Sequence, residues 1–348
     1  MGGNIKFTLI AVLLMVTVVS CNQSGKDSKD NKNGEAGQES DIVSDSLSIE
    51  QLSEKIRETP RNAVLFRKRA EMYAEKGETE KAIDDLNVAL KLDSVTKSTY
   101  YKLIDQHMNL GQSGKAKEAA KACLEVHPND KESLLRLAQI YYYVKEYNKA
   151  LSYIREIKKH NKQDADTYFI QGLIYRESEK PDLAINAFQR TIEYDDEFIA
   201  AYVMLGKMLS DANDPLAGEY YKAGLRKAPD NVELHYNTGF YLQQNDMIDS
   251  ALNHYQYIID SIDDKHYGAH YNTGYIALVY QNDYNKAIAE FTEAINIDST
   301  SHKAYYNRGY AHELKGELKE ARADYNKSLE FKENYSLAIE ALNMLDQQ

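Results

Sequence analysis

The sequence contains no tryptophan, and its 42 lysines and arginines fall short of its 54 aspartates and glutamates. A formal charge of −12 argues against a nucleic-acid partner, because phosphate binding needs concentrated basic side chains. The missing tryptophan removes the largest ring on which a sugar face could stack. The most apolar stretch, Phe7 to Val19 after Lys6, has 13 residues. A membrane-spanning helix needs about 20, so this stretch reads as a secretory signal and not as a span.

What the chain has in abundance is repetition. From Asn62 almost to the C-terminus a block of about 34 residues recurs. Tyr305, Gly309, Gly316, Ala321, Tyr325 and Ser328 fall at the same offsets as Phe66, Ala70, Gly77, Ala82, Leu86 and Ala89. Each block divides at a polar turn, such as Lys76-Gly77-Glu78, into two segments whose apolar residues return every three or four positions. One block is therefore a helical hairpin. Its eighth position is usually Gly or Ala (Ala70, Ala138, Gly172, Gly206, Gly239, Gly274, Gly309) and its twentieth is Ala, small residues that let two helix axes approach closely. A lone hairpin leaves an apolar face in water, so the hairpins must stack.

In length and in the pattern of small and aromatic positions the blocks resemble the tetratricopeptide repeat family. The resemblance implies an all-α, right-handed α-solenoid of about eight helical hairpins over residues 63–335, with capping helices at 47–62 and 336–348. The fifth copy departs most. Its turn, Asn213-Asp214-Pro215, reads as one residue short, and Gly218 and Gly224 fall in its second helix. The seventh carries an extra residue between Gly274 and Asn282, and in the second Ala120 replaces a large residue, predicting looser packing there.

The apolar stretch ends in Val18-Val19-Ser20-Cys21, which resembles the lipobox of bacterial lipoproteins. That resemblance implies a signal peptide over residues 1–20, acylation (palmitate included) at Cys21, and, with Asn22 and not Asp next, a place at the outer membrane on its periplasmic side or at the cell surface. Residues 21–46 are almost free of apolar side chains and read as a flexible tether. With Cys21 acylated, Cys123 has no partner for an intramolecular disulfide. It falls where other copies hold Ala89, Ala294 or Ser328, the place of a small buried residue.

Catalytic patterns fail on inspection. His312-Glu313 begins a zinc-protease motif, but Gly316 stands where the second His belongs. Gly111-Gln112-Ser113-Gly114-Lys115 lacks the glycine spacing of a phosphate loop and is a repeat turn. His266 and His270 lie four apart, yet His270 sits at a packing position. No enzyme activity, cofactor or metal is expected.

In the family resembled, positions 2, 5, 9 and 12 of each first helix line a concave groove. Here positions 5 and 9 of the last three copies are Tyr236 and Phe240, Tyr271 and Tyr275, Tyr306 and Tyr310; earlier copies add Tyr101, Tyr142 and Phe169. Such rings supply much of the energy at protein interfaces. Glu71, Asp105, Glu132, Asp166 and Asp211 make the amino-terminal half of the groove read as acidic. The expected function is a lipid-anchored scaffold of cell-envelope assembly or transport. Its partner is an envelope protein or peptide with basic and apolar residues, and its membrane contact is the lipid alone. The alternative is an envelope module that binds glycan or peptidoglycan on the tyrosine rings.

Overall fold

The computed structural model describes residues 47–347, so the expected signal peptide, Cys21 and the tether lie outside the described residues. The described chain is helical throughout, without a strand. Helix α1 (Ile49–Glu58) precedes four hairpins, α2 (Ala63–Glu75) with α3 (Thr79–Leu92), α4 (Lys97–Asn109) with α5 (Ser113–Val126), α6 (Lys131–Tyr143) with α7 (Tyr147–His160), and α8 (Ala165–Glu177) with α9 (Pro181–Tyr194). Four more follow, α10 (Ile199–Asp211) with α11 (Leu216–Lys227), α12 (Val232–Gln244) with α13 (Ile248–Tyr257), α14 (Tyr267–Val279) with α15 (Tyr284–Ile297), and α16 (His302–Leu314) with α17 (Leu318–Phe331), before α18 (Ser336–Leu345).

Each helix packs on the next in sequence, and first helices of neighbouring hairpins also touch, α6 on α8, α10 on α12 and α14 on α16. The result is an all-α solenoid of nearest-neighbour contacts, with the first helices gathered on one wall. At its start a capping box fixes α1: Gln51 N–H donates to Ser48 Oγ (3.3 Å) and Ser48 N–H to Gln51 Oε1 (2.8 Å). Helix α1 buries Ile49, Leu52 and Ile56, and Arg69 ties it to the first hairpin by donating to Ser53 Oγ (2.9 Å) while forking onto Asp85 at 2.7 Å. At the other end α18 packs on α17 through Ala338, Ala341 and Leu345.

The small eighth residue acts as a seat. A Cβ on Gly172 would stand 2.6 Å from the Phe188 ring, on Gly239 2.8 Å from Tyr255, and on Gly309 3.0 Å from Tyr325. Those three rings are fully buried, each stabilising the fold by roughly 1.5–3 kcal/mol through area alone. Seat and ring are 16 residues apart in these hairpins, against 15 for Gly206 and Tyr221 and 17 for Gly274 and Phe291. One deletion and one insertion thus fall inside hairpins five and seven without unseating the ring.

The deletion is not in the turn. Asn213 takes the same left-handed conformation (φ 54°) as Glu179 (φ 56°), and Asp214 N–H closes the turn onto the Leu209 carbonyl as Lys180 does onto Tyr175. The loss falls on the first turn of the second helix, so α11 has 12 residues where α9 has 14. In hairpin seven the added residue lengthens the turn, Tyr280 to Asp283. Hairpin six also holds an extra residue, absorbed where α13 widens into a π-helical turn over Ile258–Ile262.

Hairpin two keeps the looser packing expected of it, its two helices in sparser contact than those of any other hairpin. Its eighth position is Ile104, not a small residue, and Ile104 (2% exposed) and Ala120 (0%) share one buried cluster. Large and small have exchanged helices, which conserves volume. Replacing Ile104 by Ala should therefore cost about 2–5 kcal/mol, and Ala120→Leu about 1–3 kcal/mol by overpacking. The double variant should recover most of the loss in a urea melt; an additive double variant would show that the two side chains do not share one space.

Candidate functional site

The fifth-position rings of the last hairpins are seams. Tyr236 lies 5.2 Å from the His266 ring and covers Gly268, where a Cβ would stand 2.6 Å from it. Tyr271 meets Phe291 edge-on at 5.7 Å and accepts a hydrogen bond from Asn307 Nδ2 (2.9 Å) in the next hairpin. Burial pushes the Tyr271 phenol up to about 12. Tyr306 packs between Tyr325 (5.6 Å) and Tyr335 (5.4 Å). In hairpin two, Tyr101 donates to Asp130 Oδ2 (2.7 Å) at the start of α6. Each of these side chains leaves its own hairpin to hold the next.

Phe169 is not at the groove surface. It is 5% exposed, between Phe188 (5.5 Å) and Phe198 (4.8 Å), because its hairpin and the following loop close over it. Tyr142, at the twelfth position of its hairpin, is half-buried beside Tyr147.

Open rings remain at the ninth position. Phe240 is 44% and Tyr310 39% exposed, and Tyr275 is half-buried. Tyr310 stacks on Tyr306 with planes 7° apart, so the seam ring supports the open one. Tyr280, 44% exposed and 6.5 Å from Tyr275, extends this surface. It belongs to the lengthened turn of hairpin seven, and only the count of residues in that turn hinted at it.

The acidic half is a ladder of ion pairs. Lys102 bonds to Glu71, and Arg136 bonds to Asp105 and, at 2.8 Å, to Glu132. Lys131 bonds to Asp164 at 2.6 Å with Asp166 at 3.9 Å, while Asp211 is exposed. Burial raises the carboxyls of Asp105 and Asp166. Counting inward positions within one hairpin missed these cations: Lys102 and Arg136 reach back from the sixth position of the following hairpin, and Lys131 reaches forward from the first position of the preceding one. The readable signal was a base 31 residues after an acid, true of Glu71 with Lys102 and of Asp105 with Arg136. Each half-exposed pair adds about 0–1 kcal/mol.

His270 is buried, 2.8 Å from Glu290 Oε2 and 3.0 Å from the Asp264 carbonyl, and the Glu290 bond raises its pKa. His312 Nδ1 pairs with Glu317 at 2.6 Å. Gly111, at φ 67°, sits in the turn before α5. Cys123 is fully buried and burial raises its thiol. Among the described residues no group of three or more His, Cys, Asp or Glu is placed to hold a metal ion, and no helix is long and apolar enough to cross a membrane.

A tetratricopeptide repeat family model matches residues 165–198 and 302–335, and a TPR repeat model matches 277–316. Tetratricopeptide repeat protein 6 of Homo sapiens is 27% identical over 159 residues, covering 44% of this chain and 30% of that protein. The chain thus spans less than a third of that relative's length. Among solved structures, the C-terminal part of a TPR repeat-containing protein from Cytophaga hutchinsonii superposes with a TM-score of 0.57 at 16% identity, over 70% of this chain and 99% of that one. The APC/C hetero-tetramer Cut9-Hcn1 gives 0.53 at 16% identity, over 85% and 58%. These likenesses show the fold.

The division into seam and open rings predicts opposite responses. Tyr271→Ala, at a half-buried ring that also accepts from Asn307, should lower stability by about 1–3 kcal/mol, whereas exposed Phe240→Ala should stay within about 0.5 kcal/mol. Thermal melts of the two variants check the assignment; equal losses would erase it.

Proposed function

Because this chain carries tetratricopeptide repeats, a fold that generally serves as a non-catalytic scaffold for protein or peptide partners, we propose that it is a lipid-anchored scaffold of the bacterial cell envelope. The observation that carries the reading is the open row of Phe240, Tyr275 and Tyr310, one ring per hairpin on the wall of first helices. Tyr310, stacked on half-buried Tyr306, loses little entropy on binding, and each ring of the row offers a large area to an apolar side chain. Consecutive hairpins repeat the anchor, which suits an extended or helical segment lying along the stack.

The acids of the amino-terminal half fit basic residues of the same segment only in part, since four of the five already hold a cation. Apolar anchoring is the main contribution, and charge sets orientation. The membrane contact in this reading is the acyl group on Cys21, at the outer membrane.

Photo-crosslinking in cells from Phe240, Tyr275 and Tyr310, with exposed Lys319 of α17 as control, tests the groove. One dominant protein adduct confined to the three groove positions is expected. Adducts alike at Lys319, or none, would sink the reading. The anchor has its own test: the wild type should partition into detergent and Cys21→Ala should not, and equal partitioning would remove the lipid from the proposal.

A further inference from the structure

The deletion in hairpin five has a counterpart on the side of the second helices. Between hairpins five and six a cleft of about 480 Å³ opens, lined by Lys222, Leu225 and Arg226 of α11, Tyr241 and Leu242 of α12, and His254 of α13. That volume lies in the range of small-molecule sites. Gly218, in the shortened helix, has no side chain, and the Tyr241 ring edge lies where a Cβ would come within 3.0 Å. Tyr241, Leu225 and Leu242 supply an apolar wall.

Two cations face this wall from one turn of α11. Lys222 and Arg226 are both exposed, and neither forms an ion pair among the described residues. Their neighbour Lys227 shows the contrast, held by Asp196 (2.5 Å) and Glu197 (3.0 Å). In a chain with net charge −12, two cations without a carboxylate partner stand here one helical turn apart beside an apolar wall.

The histidines give the cleft a defined polar group. His235 Nε2 lies 2.7 Å from the Pro229 carbonyl, an acceptor, so Nε2 carries the hydrogen. In the neutral ring Nδ1 then accepts, and its partner 2.9 Å away, His254 Nδ1, must donate. His254 Nε2 is left as an acceptor. Burial and the neighbouring His235 hold His254 down at about 4, so it is neutral near pH 7.

We propose that this cleft binds a small organic oxyanion, a carboxylate or phosphate ester on an apolar body, with the anion between Lys222 and Arg226 and the body against Tyr241, Leu225 and Leu242. Guanidinium and ammonium together favour an oxyanion over other anions through charge-assisted hydrogen bonds. A ring or short chain matches the wall beside them. The site is independent of the groove row, because it rests on α11 and α13 and on the opposite side of α12.

Calorimetric titration of the full chain with benzoate, phenyl phosphate, inorganic phosphate and benzamidine tests it. Saturable binding of benzoate or phenyl phosphate is expected, with benzamidine, the same ring carrying a cation, inert. The tighter of the two assigns carboxylate or phosphate chemistry. Lys222→Ala with Arg226→Ala should weaken binding by about tenfold or more, 1.4 kcal/mol per factor of ten. Both positions are exposed on α11, and circular dichroism verifies that the variant folds. No saturation by either ring compound, undiminished binding in the double variant, or binding of benzamidine would overturn the proposal. Inorganic phosphate binding as tightly as phenyl phosphate would overturn the part assigned to the apolar wall.

Discussion

One contact recurs in every hairpin and sets everything built upon it: a side chain of the second helix seated on a complementary residue eight places into the first. Where the seat is Gly172, Gly239 or Gly309, the ring takes the volume a Cβ would need, and the helices approach until it is buried. That approach fixes the angle within each hairpin, and the angle fixes which faces meet the next one. Hairpins five and seven change the spacing by a residue and keep the seat, so the packing outranks the local length. The shortened α11 and the lengthened turn at Tyr280 to Asp283 are what the chain yields in return.

Much of this was legible in the residues. Period and small positions are local properties, so the hairpins, the solenoid and the buried place of Cys123 could be read directly. The status of the fifth-position rings could not, because periodicity gives the face of a helix but not what the neighbouring hairpin lays upon it. Tyr271 faces the wall as the spacing says, yet Asn307 and Phe291 claim it. The acids misled for the same reason, since Lys102 and Arg136 belong to the hairpin after the carboxylates they neutralise. The place of the deletion was invisible because Asn213 can take the left-handed turn geometry at low cost.

The groove therefore has two characters. Its amino-terminal half is charged on both signs and closed upon itself by ion pairs, while its carboxy-terminal half presents rings, Tyr310 resting on Tyr306. Screening by salt weakens the first and leaves the second nearly untouched. The same sequence economy that repeats a hairpin thus does not repeat a surface.

The exchange of Ile104 and Ala120 bears on a hazard that every tandem array faces during folding. Near-identical helices can pair one unit out of step, or with a copy on another molecule. If α9 docked on α4, the Phe188 ring would meet Ile104; if α5 docked on α8, Ala120 would leave the Gly172 seat empty. One mismatch overpacks and the other leaves a void, so both mispairings are penalised. Hairpin two works as a keyed tooth in an otherwise uniform zip, penalising the pairings that put it out of step.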